Sequence, residues 1–336
     1  MLLPFREGHL ELPGDKPVFF IRAQFSPDLD EDWKKVLLCE QTSRSDFEPL
    51  ESAGFNCVNR IEGKFDLGLC LLTKHKKENY GNVARAWEHL NEGGVLVCVG
   101  GNDIGVKSFE KNIRKEIPVV DNLHKNHCRV FWMRKDGESG SAPQEWLEFS
   151  KPGEFIPGSG YLTQPGMFCW EKIDKGSEFL VENFPRKIKG AVADFGSGWG
   201  YLSRHLLEKY PDLQELDLFE DEHLAIDVSK QNLEKCGLLD RASFHWTDLS
   251  GPPPKPNHYH WIVMNPPFHR SARTDVGLGI KFIENAAKCL KRSGSLLLVA
   301  NRQLPYEKAL EEHFVRTERI SESIDFKVLL ASTVKR

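Results

Sequence analysis

Residues 191–200 read Ala-Val-Ala-Asp-Phe-Gly-Ser-Gly-Trp-Gly, and this stretch decides the fold class of the C-terminal half. Its apolar first half predicts a buried strand, and helical spacing after it predicts a helix that ends at Lys209. Between the two, Gly196, Gly198 and Gly200 let the backbone approach a ligand closely and adopt positive φ angles. The helix N-terminus supplies unpaired N–H groups. The stretch therefore predicts a strand, turn and helix of an α/β protein, with a ligand at the turn.

The next strand carries the second part of the pattern. Residues 216–220 predict a strand that ends in an acid, and Glu220 is placed to accept hydrogen bonds from two ribose hydroxyls. A dinucleotide fingerprint, G-x-G-x-x-G, would need glycine where Tyr201 stands, which disfavours a nicotinamide-dependent oxidoreductase. Asp194, before the first glycine, suits a cationic, amino-acid-bearing ligand better than a pyrophosphate. The pattern indicates a nucleoside ligand that carries a positive charge.

A third stretch, residues 259–268, reads Tyr-His-Trp-Ile-Val-Met-Asn-Pro-Pro-Phe. Its apolar strand must end at Pro266 and Pro267, because neither can donate a ladder hydrogen bond. Asn265 and Phe268 are thereby held in a stiff loop at the carboxyl end of a strand, where ligands bind in open α/β sheets. An amide oxygen, a carbonyl and an aromatic ring suit an exocyclic amino group on a flat heterocycle.

Length and composition set the class of protein. The chain has 336 residues, 40% hydrophobic and 28% charged, which is typical of a soluble protein of two domains. No apolar run approaches 18 residues and no signal peptide is recognisable, so we expect a cytoplasmic protein. A net charge of −4 excludes a uniformly basic nucleic-acid-binding surface but allows a local basic patch. The tightest His/Cys group, at His124, His127 and Cys128, has no second half at zinc-finger spacing, so we expect no metal site.

The N-terminal half also alternates strands with helices, which predicts a second, mostly parallel and doubly wound sheet. It lacks a strand, Gly-x-Gly and helix turn, and we expect no acid after its second strand. A scaffold or RNA-docking role is therefore favoured over a second active site. A segment rich in Gly, Pro and Ser follows. We predict a first domain over 1–140, a connector arm with a first helix over 141–185, and a second domain over 186–336 that carries the ligand site.

With these residues in view, the chain resembles class I S-adenosylmethionine-dependent methyltransferases, and among them the bacterial small-subunit ribosomal RNA guanine-N2 methyltransferases. The resemblance rests on the turn 194–200, on Glu220, on N-P-P-F-H at 265–269 and on V-A-N-R-Q-L-P-Y at 299–306. Residues 101–108 are similar to the family's N-terminal domain. The resemblance implies an α/β fold of two tandem Rossmann-like class I methyltransferase domains, the N-terminal one degenerate. Ser197 and Trp199 depart from the family, which more often has Cys and either Ala or Asn there, and Glu220 replaces the usual Asp.

The resemblance also implies a cofactor, S-adenosylmethionine, and a partner, ribosomal RNA or the small ribosomal subunit, with the protein acting as a monomer. The implied cofactor-binding residues are Asp194, Gly196, Ser197, Gly198, Gly200, Glu220, Asp221, Asp248 and Asn265. Asp248 follows the third strand, where a carboxylate would meet the adenine amino group. It has an equally good interpretation as the cap of the turn at Ser250 and Gly251.

The implied catalytic residues are Asn265, Pro266, Pro267 and Phe268. The guanine N2 lone pair is delocalised into the ring and is a poor nucleophile. By hypothesis, the Asn265 side-chain oxygen and the Pro266 carbonyl accept its two protons, and Phe268 stacks on the base, a contact worth roughly 1–3 kcal/mol.

Four other functions stay open on the sequence. The large-subunit guanine-N2 methyltransferases share N-P-P-F-H and a very similar Val-Ala-Asn-Arg stretch. Adenine-N6 and protein glutamine-N5 methyltransferases use the same kind of loop, although the degenerate N-terminal domain argues against them. A non-catalytic RNA-binding factor is disfavoured by the intact Asp194, Glu220 and Asn265.

Overall fold

The computed structural model describes residues 1–137, 140–267, 269–270, 273–274 and 276–335. The chain divides into two compact units. Unit 1 comprises Met1–Gly153 with Gln164–Gly166, and unit 2 comprises Glu154–Thr163 with Met167–Arg336. No helix among the described residues is both long enough and apolar enough to cross a membrane.

Unit 1 is a seven-stranded sheet with helices, as far as its described residues show. Its strands are β1 (Val18–Ile21), β2 (Leu37–Glu40), β3 (Asn56–Val58), β4 (Phe65–Leu71), β5 (Leu90–Gly101), β6 (Val119–Lys125) and β7 (Cys128–Arg134). Its helices are α1 (Leu3–Arg6), α2 (Glu31–Val36), α3 (Arg44–Ser52), α4 (Lys76–Glu88), α5 (Val106–Ile113) and α6 (Gln144–Glu148). The strand order is β3-β2-β1-β4-β5-β7-β6, and only the pairs that include β7 are antiparallel in the described part of this sheet.

The apolar side chains of β1 explain why this sheet is covered on both faces. Phe19 and Ile21 enter one hydrophobic cluster, while Val18 and Phe20 enter the other. Successive side chains of a strand point to opposite faces, so a strand buried on both sides reads as a continuous apolar run. The predicted doubly wound sheet is confirmed for unit 1.

One expectation about unit 1 is wrong. Its second strand does end in an acid, since β2 ends at Glu40. That carboxylate is 4% exposed and accepts hydrogen bonds from both terminal nitrogens of Arg85 in α4 and from the backbone N–H of Ile61. The carboxylate at the end of the second strand is thus already paired with an arginine of the same unit. The pairing could not be predicted from local sequence, because Arg85 lies 45 residues from Glu40 in the chain.

Unit 2 repeats this plan. Its strands are β8 (Ala191–Phe195), β9 (Glu215–Glu220), β10 (Ser243–Trp246), β11 (Tyr259–Met264), β12 (His269–Arg270), β13 (Arg273–Thr274), β14 (Leu290–Asn301), β15 (Phe314–Glu322) and β16 (Phe326–Val334). Its helices are α7 (Lys175–Glu182), α8 (Tyr201–Lys209), α9 (His223–Lys235), α10 (Val276–Cys289) and α11 (Tyr306–His313). The large sheet has the order β10-β9-β8-β11-β14-β16-β15, and β12 pairs with β13.

The two units share one strand order, so the predicted fold of two tandem Rossmann-like α/β domains is confirmed. Near the C-terminus, β15 and β16 pair antiparallel and form a hairpin at the edge of the sheet.

The order places a site in unit 2. The first strand, β8, lies between β9 and β11, and the crevice outside the carboxyl ends of strands at such a switch point is where ligands bind. Phe195 pairs with both Phe219 and Met264. The three loops that follow these strands therefore leave the sheet at the same level.

Candidate active site at the carboxyl ends of β8, β9 and β11

The glycine turn after β8 adopts the backbone that its sequence predicts. Gly196, Gly198 and Gly200 have φ angles of 75°, 53° and 90°, in the region that favours glycine. A Cβ at Gly200 would lie 3.1 Å from Cβ of Ser229 in α9, so the turn packs closely against that helix. α8 begins directly after Gly200, which has no side chain to cap the helix, so the start of α8 receives no N-cap hydrogen bond.

Glu220 ends β9 and is joined to this turn. Its Oε2 accepts a hydrogen bond from the backbone N–H of Gly198 at 2.7 Å, and its Oε1 accepts one from the N–H of Glu222 at 2.9 Å. Burial raises the pKa of Glu220 to about 7, and the two backbone hydrogen bonds offset part of that rise. A carboxylate has about four acceptor sites, so Glu220 retains capacity for ligand hydroxyls.

Asp194 lies behind the turn. Its side chain is fully buried, and its Oδ2 accepts a hydrogen bond from Oγ of Ser203 in α8 at 2.6 Å. Its Oδ1 has no hydrogen-bond partner among the residues that the structure describes. Burial raises the pKa of Asp194 to about 7. The structure thus places this acid between strand and helix, outside the lining of the cleft described below.

The other two predicted acids lie near neighbouring strand ends. Asp248 accepts a hydrogen bond at each oxygen from Ser250, from its N–H at 2.7 Å and its Oγ at 2.8 Å. That geometry matches the turn-capping alternative for Asp248. Asp221 follows β9, and its backbone carbonyl accepts from the Trp246 indole at 2.7 Å.

An open cleft lies against the glycine turn. The residues that line it come from the segment before α7, from the start of α7 and α8, from the turn and from the loop after β11. They are Phe168, Asp174, Ser177, Gly196, Ser197, Gly198, Trp199, Tyr201, Leu202 and Asn265. The hydroxyl of Ser197 is buried and has no partner within the described parts of the chain, so a polar ligand group can satisfy it.

The amide of Asn265 is fixed within this cleft. Its Nδ2 donates to Oδ2 of Asp174 at 2.8 Å and to Oγ of Ser177 at 2.9 Å. A carboxylate can only accept, so the amide nitrogen must face α7 and the amide oxygen must face away from it. Asp174 is the N-cap of α7, and its contact with Asn265 was not predicted from the sequence.

The two prolines after Asn265 differ in burial. Pro266 is buried and Pro267 is half-buried. Phe268, which the sequence predicts to stack on the base, lies outside the described residues.

Two family models match the chain. The model of the methyltransferase small domain matches residues 159–330, and that of its N-terminal domain matches residues 34–149. The first alone covers more than half of the chain. The chain belongs to the methyltransferase small domain family.

Curated relatives within the family agree with this assignment. The ribosomal RNA small subunit methyltransferase C of Psychromonas ingrahamii is 32% identical over 278 residues, which cover 81% of this chain and 77% of that protein. The protein of the same name from Vibrio parahaemolyticus is 29% identical over 276 residues, covering 81% and 78%. A solved structure of the T. thermophilus 16S rRNA N2 G1207 methyltransferase, in complex with AdoMet and guanosine, is similar in fold, with a TM-score of 0.76 at 24% identity. That match covers 94% of this chain and 88% of that one.

One departure from the family pattern has a packing explanation. Trp199, where the family more often has Ala or Asn, packs edge-on against Tyr161 at 4.9 Å between ring centroids. Its indole N–H donates to the backbone carbonyl of Phe168 at 3.0 Å. The carboxamide of Asn232 accepts from the N–H of Leu162 and donates to the carbonyl of Trp199. The large ring thus anchors the segment before α7 to the glycine turn.

Proposed function

We propose that the protein transfers a methyl group from S-adenosylmethionine to the exocyclic N2 of a guanine in small-subunit, 16S ribosomal RNA. One observation carries the proposal: the donors of the Asn265 amide are held by Asp174 and Ser177, which leaves its oxygen as an acceptor at the cleft. An acceptor there fits an amino group, and membership of the methyltransferase family supplies the reaction class.

The residues around the cleft fit this cofactor. A turn of positive-φ glycines, a buried Ser197 hydroxyl without a partner in the described structure and the N-terminus of α8 suit a ligand that needs close backbone contact. Glu220 would hold the ribose hydroxyls, and Asp221 or Asp248 would lie near the adenine. Bound there, S-adenosylmethionine supplies an electrophilic methyl group on a sulfonium ion.

The chain's own groups then act on the target base. The Oδ1 of Asn265 and the carbonyl of Pro266 accept the two N2 protons, which favours a pyramidal nitrogen with its lone pair free. Pro267 stiffens the loop, and Phe268 stacks on the guanine. Positioning of this kind can supply about 7–11 kcal/mol of the barrier. No strong general base is needed, because the nitrogen becomes acidic once it is methylated.

The remaining assignments belong to the same proposal. Residues 1–140 form a degenerate domain that serves as a scaffold or docks RNA, 141–185 connect it, and 186–336 carry catalysis. The filled acid position at Glu40 supports the degenerate character of the first domain. The protein acts as a monomer in the cytoplasm.

A methyl-transfer assay tests the proposal. Purified protein receives labelled S-adenosylmethionine with unmodified 16S rRNA, 23S rRNA or small subunits, and the product nucleosides are analysed. We expect N2-methylguanosine from the small-subunit substrates. Asn265→Ala should abolish it, whereas Gln231→Ala, on the exposed side of α9, should leave it unchanged.

Each other outcome identifies an alternative. Label in 23S rRNA alone would indicate a large-subunit enzyme, and N6-methyladenosine or methylated protein amide would change the substrate class. RNA binding without any cofactor binding would indicate a non-catalytic factor.

A further inference from the structure

The Asn265 side chain carries an acceptor and two donors in nearly the same shape. Rotation of the amide by 180° exchanges the oxygen and the nitrogen, and little in the size of the group resists that exchange. For methylation of an amino group, the Asn265 amide oxygen must face the substrate. In a reversed amide, the N–H donors of Asn265 would face the N–H donors of the substrate amino group. Something must therefore select one orientation.

We infer that Asp174 is a positioning residue that fixes the polarity of the Asn265 amide, assisted by Ser177. The inference rests on the proposed function. Nδ2 of Asn265 lies 2.8 Å from Oδ2 of Asp174, and the reversed amide would place an oxygen at that distance from a carboxylate oxygen. Two acceptors that close repel each other, so only one orientation is stable.

Asp174 is itself held in place. Its Oδ2 also accepts from the backbone N–H of Ser177 at 2.8 Å, as the N-cap of α7. The helix start is packed tightly: a Cβ at Gly176 would lie 3.0 Å from Oδ2 of Asp174 and 3.1 Å from a ring carbon of Phe326 in β16. One carboxylate oxygen thus joins the start of α7 to the loop after β11.

Three variants separate this role from helix capping and from charge. Asp174→Ser keeps a good N-cap but is too short to reach Asn265, so kcat should fall roughly tenfold, the size expected for one lost hydrogen bond. Ser177→Ala keeps the capping N–H and removes the second acceptor, so a smaller fall is expected. Asp174→Asn retains an accepting oxygen and should therefore restore kcat relative to Asp174→Ser. The unfolding midpoint should stay near that of the native protein in all three, and kcat is measured at saturating S-adenosylmethionine.

A double-mutant cycle decides whether the effect passes through Asn265. In the Asn265→Ala background, Asp174→Ser should have no further effect. Residual activity is measured at high enzyme concentration or, if none remains, binding of guanosine is measured instead. An additive effect would overturn the inference. So would native kcat in Asp174→Ser, or a loss of cofactor affinity with kcat preserved at saturation. If the native protein methylates no guanine at all, the proposed function fails instead.

Discussion

The backbone N–H of Gly198 donates to Oε2 of Glu220 at 2.7 Å, so the middle glycine of the turn and the acid at the end of β9 form one structure. The two residues lie 22 positions apart in the chain. Burial raises the pKa of Glu220 to about 7. Near neutral pH, therefore, only part of the protein carries an ionised Glu220.

That pKa predicts how cofactor binding depends on pH. The ionised carboxylate can accept hydrogen bonds from hydroxyl groups at both oxygens. In the protonated form one oxygen carries a hydrogen and is a poorer acceptor. Affinity for S-adenosylmethionine should therefore rise between pH 6 and pH 8, by at most about tenfold per pH unit below the pKa. Calorimetric titration at several pH values measures it. Glu220→Gln should flatten the dependence, and identical pH profiles in the two proteins would contradict the prediction.

Gly200→Ala should damage the turn by two separate effects. A φ of 90° is strained for alanine, at about 1–2 kcal/mol, and the new Cβ would lie 3.1 Å from Ser229. Gly237→Ala is the matched control, because its φ is 67° but nothing lies within 4 Å of the added carbon. We expect Gly200→Ala to lower both unfolding free energy and cofactor affinity more than the control does. Equal losses in the two variants would show that packing against α9 is unimportant.

The raised pKa of Asp194 predicts that stability falls as the pH rises toward neutrality. Burial raises its folded-state pKa from 3.8 to about 7. Between these values the folded protein binds the proton more tightly than the unfolded chain does. The stabilisation is complete below about pH 4 and is lost as the pH rises through about 7. The unfolding free energy of the native protein, relative to Asp194→Asn, should therefore fall from pH 5 to pH 8, by at most about 1.4 kcal/mol per unit. Denaturant titrations that give a constant difference would refute this.

Removal of one partner of the Glu40 and Arg85 pair should destabilise unit 1 strongly, whereas replacement of both partners should destabilise it much less. Removal of the cation leaves a buried carboxylate without its partner, so Arg85→Leu should cost roughly 3–5 kcal/mol of unfolding free energy. Arg85→Leu combined with Glu40→Leu should recover much of that loss. Lys16→Met breaks an exposed pair with Asp66 and should cost less than about 1 kcal/mol. A mild effect of Arg85→Leu alone would mean that Glu40 accommodates a proton.

The elements that sequence predicted best have strong local signals. The helix after the glycine turn spans Tyr201–Lys209 as predicted, because three glycines mark its start. The helix at 31–36 was missed, since six residues are too few to show a period, although Asp30 caps it. The strand at 119–125 was also missed, because its side chains are mostly exposed and charged or polar residues dominate it.

The sequence by itself determined the fold of both units, the glycine turn, the order of Asp194, Glu220 and Asn265 along the chain, and the family that their spacing resembles. These are local patterns of period, glycine and proline, which act over a few residues. Tertiary structure alone decided that Asp194 is sealed behind the turn and that Asp174 contacts Asn265 from 91 residues away. Hydrogen bonds between residues so distant form only when strand order and helix packing bring them together, and no local pattern encodes that meeting.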